Sequence, residues 1–353
     1  MPWIHSVQCA LPPHHYDQEA LIAGLRKRWS EQFFNFSRIE AFHQHVLVQN
    51  RYLALPLEEY SQDQGLEFRN RVWIKVSLQL LQEAVLQLLE NAALPPREIA
   101  LIATTSSSGM AVPSLEARLM NLIRFSPATK RLPLFGLGCL AGVAGLNRVA
   151  DYLRAYPKQA ALLLSTELSS LTVQLKDFSV ANLVSTGLFG DGAAAVLLVG
   201  DEHPLAKEAP LRIIEGRSEF FPDTERVMGW DVVDSGFKVV LDSSVPDVVF
   251  ENFPRIVGAL LGEHGLQNQD LQFYVSHPGG PKVLAAIEES LGLKNGELKL
   301  SWDSLRDYGN MSSASVLFVL RETLKQLPPK GSWGLMASMG PAFCAEVTLL
   351  RRE

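Results

Sequence analysis

The chain has 353 residues, 47% of them hydrophobic and 20% charged, which is the mixture of a folded globular protein with material for one large or two medium cores. A formal charge of −6 leaves no electrostatic footprint for nucleic acid, and three scattered cysteines (Cys9, Cys139, Cys344) exclude a disulfide framework. With no basic-then-apolar leader and no apolar stretch approaching the roughly 18 residues that span a bilayer, the expectation is a cytoplasmic protein with reduced thiols.

In chain order, residues 76–92 place apolar side chains at helical spacing, and Pro95-Pro96 end the run. Ile99–Thr105 reads as a buried strand closed by the polar turn Ser106-Ser107-Ser108-Gly109. Leu140–Tyr156 reads as a helix, and Ala160–Ser165 and Ala193–Val199 as strands. In the second half, Val248–Glu263 is helical despite Pro254, Leu271–Ser276 is a strand, and Ser313–Leu327 is helical. Trp333–Ala337 and Ala345–Arg351 read as a final strand pair. Nearly all-apolar strands separated by helices indicate α/β layers with sheets covered on both faces. The most polar break, Gly200–Pro210, divides the chain near residue 205 into halves spanning 1–205 and 206–353.

Three stretches could carry chemistry. In Phe135–Gly142 (FGLGCLAG), Cys139 lies among glycines where a strand gives way to a long helix. Helix dipole and free backbone N–H groups are expected to stabilise a thiolate there, although a packed core cysteine is the plainer alternative. In Tyr274–Pro281 (YVSHPGGP), His277 follows a strand end, where ligands of α/β sheets collect, or is simply a histidine before a turn. In Tyr308–Ser313 (YGNMSS), Asn310 precedes a helix, either as a cap or as an amide offered to a developing oxyanion. Asp191, in the turn Gly190-Asp191-Gly192, reads as structural. No GK[ST] follows the glycines around Cys139, and His14-His15, His43 and His45 lack a supporting pattern for a metal, so neither a phosphate loop nor a metal site is expected.

Together, GLGCLAG around Cys139, SHPGGPKVL from Ser276 and YGNMSSASVLF from Tyr308 resemble the active-site signatures of type III polyketide synthases, the chalcone synthase-like branch of the thiolase superfamily. Supporting segments are STELSSLT (165–172), LVSTGLFGDGAAA (183–195), MGWDVVDSGF (228–237) and SMGPAFCAEVTLLR (338–351). The resemblance implies a thiolase-like fold of two similar halves in five layers, α-β-α-β-α, and a homodimer, with the loop Gly109–Pro113 as the place where one subunit reaches the other. It also implies the chemistry. Cys139 would take an acyl group from a starter acyl-CoA, and His277 would help keep it a thiolate. With Asn310, His277 would stabilise the enolate left when malonyl-CoA loses CO₂. Repeated condensation and cyclisation would follow, to an alkylpyrone or alkylresorcinol, with no metal or bound cofactor. Initiating 3-ketoacyl-acyl carrier protein synthases share the Cys/His/Asn plan and are the alternative. A thiol hydrolase and a non-enzymatic scaffold are the remaining readings.

Some positions depart from the family pattern. Val173 and Val239 stand where many plant members carry phenylalanines guarding the passage to the cavity, which implies a wider passage and a long or bulky acyl starter. Ser169, Thr172, Trp230 and Ser312 correspond to the cavity wall, where Trp230 replaces a small residue and narrows part of it. The loop Gly340-Pro341-Ala342 stands for Gly-Pro-Gly, and the added methyl bears on cyclisation if the backbone tolerates a Cβ. Of the basic residues expected around the CoA phosphates, the segment His43–Tyr52 keeps only Arg51.

Overall fold

A computed structural model describes residues 1–29, 36–61 and 65–353. Its strands are β1 (Trp3–Ala10), β2 (His14–Asp17), β3 (Asn50–Leu53), β4 (Ile99–Thr105), β5 (Lys130–Leu134), β6 (Ala160–Leu168), β7 (Asp191–Val199), β8 (Leu211–Phe220), β9 (Met228–Val233), β10 (Gly236–Leu241), β11 (Leu271–Ser276), β12 (Trp333–Gly340) and β13 (Cys344–Arg352). The helices are α1 (Gln18–Trp29), α2 (Phe36–His45), α3 (Gly65–Asn91), α4 (Leu115–Leu122), α5 (Ala141–Ala155), α6 (Val180–Leu188), α7 (Val245–Glu263), α8 (Pro281–Leu291), α9 (Lys299–Tyr308) and α10 (Ser315–Lys325).

Nine strands form one hydrogen-bonded sheet in the order β11-β12-β13-β8-β1-β7-β6-β4-β5. Every residue of β6 and β7 is buried, as the apolar runs Ala160–Leu164 and Ala193–Val199 require of strands covered on both faces. One face of this arm packs on α3, through Leu81, Ala84, Val85 and Leu88. The opposite face packs on α5 and α10, through Val143, Leu146, Val316 and Phe318. On the other arm, α7 and α8 cover β11, β12 and β13 through Phe253, Leu260, Leu284 and Val347. The apolar repeat at 76–92 is part of a longer helix, because α3 begins at Gly65 with a polar turn that adds little burial before Trp73. Among the described residues α3 alone has the length and hydropathy of a membrane span, and half of that window is buried within the protein.

Strand direction decides where the chemistry collects. β4 runs parallel to β5 and β6, and β11 runs parallel to β12. The carboxyl ends of these strands deliver Ser106–Ser108, the turn at Cys139, Ser169–Val173, His277 and Gly340–Ala342, the arrangement by which open α/β sheets gather ligand groups.

The arms lock together where α5 meets the start of α10. A Cβ on Gly142 would stand 2.3 Å from the carbonyl oxygen of Ser313, so only glycine permits this approach. On the far side of α5, buried Glu346 of β13 accepts from Asn147 Nδ2 at 2.7 Å and Arg148 at 2.8 Å. Gly142→Ala is therefore expected to destabilise the protein by about 1–3 kcal/mol through overpacking. Thermal unfolding of the variant checks this, and an unchanged Tm would show that the contact relaxes without strain.

Candidate active site

Cys139 sits in a single 3-10 turn, Gly138–Leu140, between β5 and α5. Gly136 and Gly138 hold φ of 86° and 50°, a region that glycine enters without a steric penalty. The turn is pinned from the opposite arm. Ser338 Oγ donates to the Cys139 carbonyl at 2.6 Å, and a Cβ on Gly138 would meet the Pro341 ring at 2.7 Å. Gly340 is equally close-packed, since a Cβ there would lie 2.7 Å from the Leu137 carbonyl oxygen.

His277 leaves the end of β11 with its N–H donating to the Ala337 carbonyl at 2.9 Å, one residue before the serine that holds Cys139. The imidazole is buried, and neither ring nitrogen has a hydrogen-bond partner among the described residues. Burial pushes its pKa down to about 3, so the ring is neutral at physiological pH. Buried polar atoms are rarely left unpaired, and a pair of them on one ring marks a place where a ligand would be received.

Asn310 is fixed by its backbone, which donates to Leu188 O at 2.8 Å and accepts from Gly190 N at 3.0 Å. Its Oδ1 accepts from Ser312 N at 2.7 Å and its Nδ2 donates to Gly279 O at 3.0 Å. Those contacts set the orientation of the amide and leave its second N–H to the Cys139 thiol. Gly279 also joins Asn310 to His277, because its N–H donates to the His277 carbonyl at 2.9 Å. Asn310 does not cap a helix through its side chain; it precedes the 3-10 turn Ser312–Ala314, which Ser312 enters with φ of 47°.

Burial pushes the Cys139 thiol up to about 11 even though the residue keeps some accessible surface. Hydrogen bonding with Ser312 opposes that rise, the nearby Glu167 carboxyl adds to it, and hydrogen bonding with Asn310 opposes it. The same contacts place Ser312 and Asn310 at the thiol. Burial thus works against the lowering expected of a thiol ahead of a helix, because desolvation outweighs the local donors.

Glu167, part of STELSSLT but not singled out in the sequence, is fully buried beside this group. It accepts from Ser107 N at 3.0 Å, Ser107 Oγ at 3.1 Å, Ser108 Oγ at 2.8 Å and Ser313 Oγ at 2.6 Å. The available signal was the density of serines at three strand or turn ends. Phe189 was also passed over, although it precedes the Gly190-Asp191-Gly192 turn. It forms a parallel bridge with Asn310, and its ring lies 6.2 Å from that of Trp230.

The other expected residues divide. Ser169 and Thr172 are buried on the turn after β6, with Ser169 Oγ unpartnered and Thr172 Oγ1 donating to Ser169 O at 2.7 Å. Val173 lines a surface cleft with Leu171, Arg69 and Tyr60. Trp230 and Val239 are direct cross-strand partners on the β9–β10 hairpin. Ala342 adopts φ of 55°, a left-handed conformation that costs a residue with a Cβ about 1–2 kcal/mol. Arg51 requires a correction. It is 3% exposed, and its guanidinium donates to Thr186 O, to Phe189 O at 3.2 Å and to Gln18 Oε1 at 2.7 Å. Burial lowers its pKa to about 9, and Asp191 opposes that fall, so Arg51 serves the interior and does not face a CoA phosphate. Asp191 accepts from Ala54 N and Ser170 N at 2.7 and 2.8 Å, in keeping with a structural role.

Two sequence families cover most of the chain: the FAE1/type III polyketide synthase-like family matches residues 65–214, and the C-terminal domain of chalcone and stilbene synthases matches 212–352. A 1,3,6,8-tetrahydroxynaphthalene synthase of Streptomyces peucetius subsp. caesius is 42% identical over 99% of this chain and 92% of its own length. The chain belongs to the type III polyketide synthase family. A protein named putative chalcone synthase from Bacillus subtilis (strain 168) is 36% identical over 100% of this chain and 99% of its own. The crystal structure of the 1,3,6,8-tetrahydroxynaphthalene synthase from Streptomyces coelicolor A3(2) superimposes with a TM-score of 0.93 at 31% identity, covering 99% of each chain. The fold is thus the α/β thiolase-like one, and the protein is a condensing acyltransferase.

With its thiol held up near 11, Cys139 is expected to be alkylated by iodoacetamide about tenfold faster per pH unit through the neutral range, with no levelling near neutrality. Mass spectrometry of the Cys139 peptide after timed pulses reads the rate. A plateau below about pH 8 would mean that the thiolate is already formed there.

Proposed function

We propose that the synthase carries out iterative decarboxylative Claisen condensation of an acyl-CoA starter with malonyl-CoA, with Cys139 as nucleophile and His277 and Asn310 as donors to the enolate oxygen. The observation that carries this assignment is the neutral, buried His277 ring with both nitrogens unpartnered, tied through Gly279 to an oriented Asn310 amide. Cys139 Sγ would attack the starter thioester carbonyl, CoA would leave as its thiol, and the acyl group would remain on sulfur. Loss of CO₂ from malonyl-CoA gives a carbanion without proton abstraction, so the site needs neutral donors more than a strong base. Attack of that carbanion on the Cys139 thioester forms the carbon–carbon bond and expels the Cys139 thiolate, which takes a proton from solvent or attacks the 3-ketoacyl-CoA product to begin the next round. No step calls for a metal or a bound cofactor.

The finer architecture follows the same reading: two α/β halves, 1–205 and 206–353, in five layers, with α5 and α10 as the central helical layer. The junction of the two family matches near residues 212–214 supports a boundary there. A homodimer is proposed through the Gly109–Pro113 loop, where Met110 is 42% and Val112 96% exposed. That loop is held in shape by Asn70, which bonds both Met110 N and Met110 O. The aliphatic side chains of Val173 and Val239, taken as the walls of the passage, favour a long acyl starter and an alkylpyrone or alkylresorcinol product. A second product reading rests on the 42% relative, because the tetrahydroxynaphthalene it is named for has a ten-carbon skeleton without an alkyl chain.

Labelled malonyl-CoA, alone and with a panel of acyl-CoA starters, followed by mass spectrometry, tests both. Cys139→Ala is expected to abolish every extended product, and Asn310→Ala to lower kcat by about 10²–10³ through loss of one enolate donor. Product extended once at most, or formed only from malonyl-acyl carrier protein, would move the assignment to a single-condensation synthase.

A further inference from the structure

The β9–β10 hairpin forms a two-stranded sheet of its own, outside the nine-stranded one, and a lone hairpin is only marginally stable. Trp230 and Val239 face each other across it. Its tip reaches back to the residue after Val173. There Gln174 is 6% exposed and commits its whole amide. Nε2 donates to Phe237 O at 3.1 Å and to Thr172 O at 3.2 Å, while Oε1 accepts from Ser235 Oγ at 2.6 Å. The backbone of Gln174 is itself anchored to α6, its carbonyl accepting from Asn182 Nδ2 at 2.9 Å. Beside this contact, Lys238 of the hairpin pairs with Asp177 at 3.3 Å, a half-exposed ion pair that solvent and salt weaken.

The chemistry of the position calls for an amide. A carboxylate of the same length could accept from Ser235 but would face two carbonyl oxygens, and an aliphatic chain would leave the Thr172 and Phe237 carbonyls without this donor in a buried place. Gly236 and Phe237 line a cleft together with Ser108, a partner of Glu167, and Leu171; Leu171 also lines the adjoining cleft at Val173. The contact therefore lies beside the clefts that Ser108 and Val173 line.

We propose that Gln174 is a positioning residue that clamps the β9–β10 hairpin onto the Thr172–Val173 turn and thereby sets the width of the acyl slot and the preferred starter length. This rests on the reading of Val173, Trp230 and Val239 as the walls of that slot. Gln174 touches no reacting atom and acts only through the two segments it joins.

Gln174→Met keeps length and removes all three hydrogen bonds; Ser235→Ala, at an exposed position, removes one. The ratio of kcat/KM for a long-chain over a short-chain acyl-CoA is expected to rise about tenfold in Gln174→Met and about two- to threefold in Ser235→Ala. Decarboxylation of malonyl-CoA without a starter stays near wild type, and deuterium uptake across residues 228–241 quickens in both variants. An unchanged ratio with unchanged uptake overturns the proposal. So does a parallel fall of decarboxylation, all condensations and Tm, which a merely structural role would give. If the wild type condenses no acyl-CoA at all, the proposed function fails, and hairpin exchange still decides the clamp: faster uptake supports it and unchanged uptake overturns it.

Discussion

A carboxylate taken fully out of water must find its hydrogen bonds inside the protein or give up its charge, and Glu167 finds them in serines from two other segments. Burial raises its pKa, and the hydroxyls of Ser313, Ser108 and Ser107 with the Ser107 N–H work against that rise. Ser107 and Ser108 belong to the turn after β4, Glu167 to the end of β6, and Ser313 to the turn that opens α10. The carboxyl group can be satisfied only when those segments meet. Because Ser313 shares its turn with Asn310 and Ser312, the same requirement fixes where the Asn310 amide stands relative to Cys139. The close approach at Gly142 then holds α5, and so the turn carrying Cys139, against the same point.

Much of this was readable in the chain because burial on both faces leaves a plain mark. Ile99–Thr105 and Leu271–Ser276 were delimited by sequence as the structure has them, since unbroken apolar runs between turns have few other solutions. The helix at 245–263 runs through Pro254, as expected. Cys139, His277 and Asn310 stood out because each follows a strand end or opens a helix among glycines. What escaped lay in relations between distant residues. The partners of Glu167 are serines up to 146 residues away, and only the density of serines at turn ends hints at them. Arg51 carries the charge of a phosphate ligand, yet its acceptors are the carbonyls of Thr186 and Phe189, which only the folded chain brings near. The β9–β10 hairpin mixes charged and apolar residues along a half-buried ribbon, so its pattern is weak.

The thiol shows most clearly how context overrides local logic. A cysteine before a helix suggests a thiolate, and the dipole argument is sound for a solvated helix end. In this protein the thiol is enclosed and a carboxyl group lies nearby, so the neutral form is favoured. His277 is displaced in the opposite direction and is neutral as well. Burial by itself therefore favours the neutral form of both groups. Under the proposed mechanism that arrangement has a use. A neutral imidazole can donate N–H to an enolate oxygen as the malonyl carboxylate departs, and a neutral thiol does not leave an unpaired anion beside Glu167 between turnovers. The cost falls on acylation, where deprotonation of Cys139 must be coupled to attack on the thioester. The assembly thus resembles a set of oriented neutral donors around a masked nucleophile, and its catalytic power would come from where Glu167, Gly142 and Gly279 hold those donors.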